Sequence, residues 1–118
     1  MSTQENRSHE RRYFRASVDF PVTIIVPGEE LVLSGNAVDL SRGGVRITTS
    51  TDLPAGQPIV LRFMLEPHTR ELLVRAKIAL TFYDASSKKY THGIAFTQYS
   101  TQDHEAIAAF IAAKETPG

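Results

Sequence analysis

The chain has 118 residues, 42% hydrophobic and 22% charged, which fits one globular domain and excludes a disordered chain, a coiled coil or a fibre. Thirteen Lys and Arg balance thirteen Asp and Glu, and this zero net charge argues against a general binder of nucleic acid polymers, which would carry a basic excess. There is no cysteine, so disulfides, thiolate nucleophiles and Cys-ligated zinc are excluded.

The start, Met1-Ser2-Thr3-Gln4-Glu5-Asn6, has no apolar core of a signal peptide, and no apolar run approaches the ~20 residues that span a bilayer. A cytoplasmic protein without membrane insertion is therefore expected. Residues 1–10 are polar and aperiodic and read as a flexible tail, ahead of a single domain over 11–118. Between Arg7 and Arg15 four arginines face one glutamate, an excess of three positive charges that the remainder offsets.

Alternation then takes over. Val18, Phe20, Val22, Ile24 and Val26 occupy every second position, the period of a half-buried strand. Pro21, on the opposite phase and without an N–H, predicts an edge or a bulge there. Pro27 to Glu30 turns the chain. Leu31 and Leu33 open a second strand, and Gly35 predicts a bulge from which Val38 and Leu40 continue. Val45 and Ile47 mark a third strand after Ser41-Arg42-Gly43-Gly44. Ile59, Leu61, Phe63 and Leu65 alternate in a fourth. Leu72, Val74, Ala76, Ile78, Leu80 and Phe82 predict a long fifth strand with all six on one face, and Ile94 and Phe96 a sixth after Gly93.

Only the C-terminus changes period. Ser100 or Thr101 can cap a helix with Asp103 and Glu105 near its positive end, and Ile107, Phe110 and Ile111 share one face. Pro117-Gly118 would end it. Six strands and one terminal helix predict a mainly β fold: a small six-stranded antiparallel β-barrel whose open end or face the C-terminal α-helix covers.

No catalytic constellation emerges. The histidines His9, His68, His92 and His104 lack metal-site spacing, and Asp39, Ser41 and His92 form a triad in name only, because Ser41 precedes a strand and Gly-x-Ser-x-Gly is missing. A non-enzyme without metal or cofactor is expected.

Two local patterns carry chemistry. Arg11 and Arg15 are four apart and project to one side of an extended chain, with Arg12 beside them. Guanidinium forks bind phosphate oxygens or the O6/N7 edge of guanine and stack on aromatic rings. In Asp39-Leu40-Ser41-Arg42-Gly43-Gly44, the carboxylate can accept from guanine N1–H and N2–H₂, the Ser41 hydroxyl can donate, and Gly43 and Gly44 allow positive φ and close backbone approach.

Arg11-x-x-x-Arg15 followed by Asp39-x-Ser41-x-x-Gly44 resembles the signature of the PilZ domain, a bacterial six-stranded barrel that binds the second messenger cyclic di-GMP. His92-Gly93-Ile94-Ala95-Phe96 resembles that family's Gly-x-x-Phe. The resemblance implies that Arg11 and Arg15 hold guanine Hoogsteen edges and phosphates, Asp39 a guanine edge, and Ser41 a phosphate or base. It further implies that Gly44, with Gly43, lets the loop close under the ligand and that Arg12 adds a phosphate contact. Leu80 aligns with a tryptophan found in many members, so one stacking surface is missing. The implied mechanism is an order–disorder switch: residues 1 to about 15 are mobile alone and wrap the ligand against the barrel, creating a surface for an unidentified downstream protein. The alternative is a protein-interaction adaptor of the same fold that binds no nucleotide.

Overall fold

The computed structural model describes residues 14–66 and 70–115. Six strands are present: β1 (Ala16–Val26), β2 (Leu31–Ser41), β3 (Gly44–Thr49), β4 (Pro58–Phe63), β5 (Leu72–Asp84) and β6 (Lys89–Gln98). All pairings are antiparallel, and the order β1-β2-β3-β6-β5-β4 closes on itself as a barrel. The alternating apolar residues point inward. Ile24, Leu40, Ile47, Leu61, Leu72, Val74 and Ile78 are completely buried, each contributing roughly 1.5–3 kcal/mol of transfer free energy.

The helix α1 (Thr101–Glu115) packs against β1, β2 and β5. Of the two candidate caps, Ser100 is the one used: its Oγ accepts from the Asp103 N–H at 3.0 Å. Ile107 and Ile111 are buried in the core and Phe110 packs beside them. Asp103 does more than offset the helix dipole. Its buried carboxylate accepts from Arg70 Nη1 at 2.8 Å and from the Leu73 N–H at 3.2 Å, tying the helix to the start of β5.

Three local expectations need correction. Closure removes the edge predicted at Pro21, which pairs with Asn36 of β2; the β1–β4 ladder covers only Thr23 to Ile25, so proline falls where that ladder has already ended. The β1 irregularity lies just before it, between Ser17 and Phe20. The phase change in β2 comes at Val38, not at Gly35, because Ala37 and Asp39 pair with the adjacent residues Ile47 and Arg46. Gly35 answers a steric demand instead: a Cβ there would lie 2.6 Å from Ile47 Cγ2.

The third correction has the largest consequence. The run in β5 does not keep one face, because the ladder with β6 shifts between Ile78 and Leu80. That extra residue inverts the alternation. Leu80 and Phe82 turn outward, 45% and 62% exposed, and Thr81 turns toward the interior.

Candidate ligand-binding surface

The Asp39 motif ends β2 and enters β3 through a two-residue turn, Arg42-Gly43, closed by the Ser41–Gly44 pair. Ser41 is 3% exposed. Its hydroxyl donates to the Gly44 carbonyl at 3.4 Å and accepts from the Gly43 N–H at 3.3 Å, so it clamps the turn from within. Two further bonds fix the turn to β6 and its sequel: the Phe96 N–H donates to the Gly43 carbonyl at 3.0 Å, and the Tyr99 hydroxyl donates to the Arg42 carbonyl at 3.0 Å.

Neither Gly43 nor Gly44 adopts the positive φ that their type allows. Gly44 is required for a different reason. A Cβ there would come within 2.3 Å of the Ile94 carbonyl oxygen on β6, whereas one at Gly43 would meet open space. The close approach at Gly44 is strand against strand.

Asp39 stands on the outer face, 24 residues from Arg15 in sequence, and the two side chains meet. Arg15 donates to Asp39 Oδ1 from Nη2 at 2.8 Å and from Nε at 3.2 Å. Arg46 of β3 approaches the other oxygen, with Nη1 3.5 Å from Oδ2. The Asp39 side chain is 18% exposed, while both arginines are about half exposed. Arg11 and Arg12, and with them the expected tail over 1–10, lie outside the described residues.

The register carries this charged group across the barrel. Asp39 pairs with Arg46, Arg46 with Gly93, and Gly93 with Leu80. Gly93 has no side chain, and a Cβ placed there would sit 3.3 Å from the Leu80 side chain. Leu80 thus leans over the gap and makes an apolar floor next to Arg46. Phe82 continues the exposed apolar row two residues on, so an aromatic ring is present on this face although Leu80 is aliphatic.

His92 takes no part in a triad with Ser41 and Asp39. It is fully buried, with Nε2 2.8 Å from Thr49 Oγ1 and 3.2 Å from the Thr51 carbonyl, and Nδ1 3.0 Å from Thr81 Oγ1. Burial pushes its pKa below the usual histidine value, opposed by the Thr51 carbonyl and the Asp52 charge. A groove of about 900 Å³ lies elsewhere, between β1, β4 and α1, where Phe20, Phe63, Met64 and Phe110 line it. None of the described motif residues borders that groove. The motif instead occupies an open, charged face, which suits a flat polar ligand better than an apolar one.

Sequence reasoning missed Arg46 and Phe82. Arg46 is recognisable only from the β2–β3 register, and Phe82 only from the bulge that turns it outward.

Among protein-family models, that of the PilZ domain matches residues 5–113. This chain belongs to the PilZ domain family. Solved structures agree on the fold. Bacillus subtilis inhibitor of motility (MotI/DgrA) superposes with a TM-score of 0.77 at 20% identity, over 89% of this chain and 51% of that one. The present chain therefore spans about half the length of that protein. The PilZ domain of CeSA from a cellulose-synthesizing bacterium gives 0.65 at 19% identity, covering 87% of this chain and 99% of that one. The PilZ domain of Escherichia coli YcgR, solved with c-di-GMP, gives 0.64 at 17% identity, covering 89% and 91%. No curated protein matches the chain. Among the described residues, no helix is long and apolar enough to cross a membrane, and the PilZ fold accounts for them as a closed barrel with one C-terminal helix.

Proposed function

We propose that this PilZ domain is a cyclic di-GMP receptor that acts as a non-enzymatic adaptor, passing its ligand state to another protein. The observation that carries the reading is the contact between Arg15 and Asp39, which joins the two motifs on one exposed face. The family supports it, and so does the c-di-GMP held by the related YcgR domain.

The chemistry on this face matches the ligand. Cyclic di-GMP is a dianion with two guanines. Arg15, with Arg11 and Arg12 preceding it, supplies forked cations for phosphates and Hoogsteen edges. Asp39 accepts from a guanine N1–H and N2–H₂. Ser41 holds the turn that carries Gly43 and Gly44 under the ligand, and Leu80 and Phe82 offer apolar surface to a base. Charge-assisted bonds of roughly 1.5–3 kcal/mol each outweigh ordering costs of ~1–2 kcal/mol per fixed residue once several form. The affinity expected is micromolar to submicromolar in order of magnitude.

In this reading the ligand orders the tail against the face that Arg15 and Asp39 share. In the second reading, an adaptor that binds no nucleotide, the Arg15–Asp39 contact serves only to hold the start of β1 to β2. Isothermal titration calorimetry with cyclic di-GMP, with GTP as control, separates the two. Saturable heat with cyclic di-GMP alone supports the receptor; no heat from folded protein supports the ligand-independent adaptor.

A further inference from the structure

We propose that Arg46 is a specificity-determining residue of this site, donating to the O6 of the guanine whose N1–H and N2–H₂ are taken by Asp39. The inference rests on the cyclic di-GMP reading above and adds a contact that neither motif contains.

Three observations place Arg46 in that role. It is the cross-strand partner of Asp39 on one side and of Gly93 on the other, so its side chain rises from the outer face between the carboxylate and the apolar floor formed by Leu80. The two Asp39 oxygens face different cations: Oδ1 takes both Arg15 bonds, and Oδ2 faces Arg46. The Arg46 contact is also the looser one, 3.5 Å against 2.8 Å, with the side chain half exposed. An ion pair of that kind contributes little and is given up easily to an incoming ligand.

The order of groups on the base supplies the rest. The Watson–Crick edge of guanine presents O6, N1–H and N2–H₂ in sequence: one acceptor and two donors. A carboxylate meets the two donors and leaves O6 next to it without a donor. The guanidinium beside Oδ2 fills that position, so Arg46 and Asp39 together complement the whole edge. Adenine in the same orientation turns an amino group toward the guanidinium and an N1 lone pair toward the carboxylate, and both contacts become repulsive.

The test is a titration of wild type, Arg46→Met and Arg46→Lys with cyclic di-GMP, with cyclic di-AMP measured by displacement and folding checked by thermal melts. Arg46→Met is expected to weaken cyclic di-GMP binding about tenfold or more and to narrow the preference over cyclic di-AMP, with Arg46→Lys recovering part of the loss. Unchanged or tighter binding by Arg46→Met overturns the inference, as does an equal loss for both dinucleotides, which would mark a plain phosphate contact. Wild type that binds neither dinucleotide overturns the receptor reading and this inference with it; wild-type binding with an indifferent Arg46 overturns this inference alone.

Discussion

Arg15, one residue ahead of β1, places two donors on a single carboxylate oxygen of Asp39 near the end of β2, at 2.8 and 3.2 Å. The contact brings the two motifs together on one face. A guanine that takes Asp39 shares the carboxylate with Arg15. Its four or so lone-pair positions allow that.

Arg15→Ala is expected to lower cyclic di-GMP affinity by about 10- to 100-fold, the loss of one or two charge-assisted bonds. Calorimetric titration of the variant reads it directly. An affinity equal to wild type would remove Arg15 from the site.

Asp39→Ala should weaken cyclic di-GMP binding and narrow its margin over adenine dinucleotides, since the carboxylate reads base donors. Competition titrations measure both. An identical loss for guanine and adenine ligands would count against base readout by Asp39.

Salt should matter. Arginine–phosphate attraction on a half-exposed face is screened over about 10 Å at 0.1 M ionic strength, so affinity is expected to fall as salt rises. A flat response over the same range would point to stacking as the main source of binding.

The two motif glycines should behave differently. Gly44→Ala drives a Cβ onto the Ile94 carbonyl and is expected to destabilise the barrel by about 1–3 kcal/mol. Gly43→Ala meets open space and should leave stability within about 0.5 kcal/mol of wild type. Urea unfolding of both variants makes the comparison, and equal destabilisation would refute the strand-contact explanation.

His92 sets a pH dependence. Its pKa is lower folded than unfolded, so below the unfolded value near 6.5 the unfolded chain binds the proton first. Its contribution is fully present above that value. As pH falls toward the folded pKa, stability drops by at most about 1.4 kcal/mol per pH unit from this group. The pH dependence of unfolding between neutral and mildly acidic pH should flatten in His92→Gln, and an unaltered slope would show that other groups control it.

Much of this was legible in the sequence. Period-two alternation marked all six strands, and the shift to helical spacing marked α1, because burial on one face imposes those periods. The motif residues Arg15 and Asp39 were legible as chemistry; that their side chains meet was not, because it depends on how β1 pairs with β2. Register was not legible. The bulge before Leu80 depends on how β5 pairs with β6, and it alone decides that Leu80 and Phe82 face outward. The part Ser41 plays in holding the turn was not legible, because its burial there follows from tertiary packing. Gly44 was expected to serve backbone freedom, and the need it meets is the nearness of β6.

The central claim is that cyclic di-GMP binds on the face bearing Arg15, Asp39, Arg46 and Gly44. The most direct measurement is an amide ¹H–¹⁵N correlation titration of the labelled protein with the dinucleotide. Saturable shifts concentrated at Asp39, Gly43, Gly44, Arg46 and Gly93, with Phe63 and Phe110 in the groove between β1, β4 and α1 unmoved, are the predicted result. No shifts, or shifts confined to that groove, would contradict it.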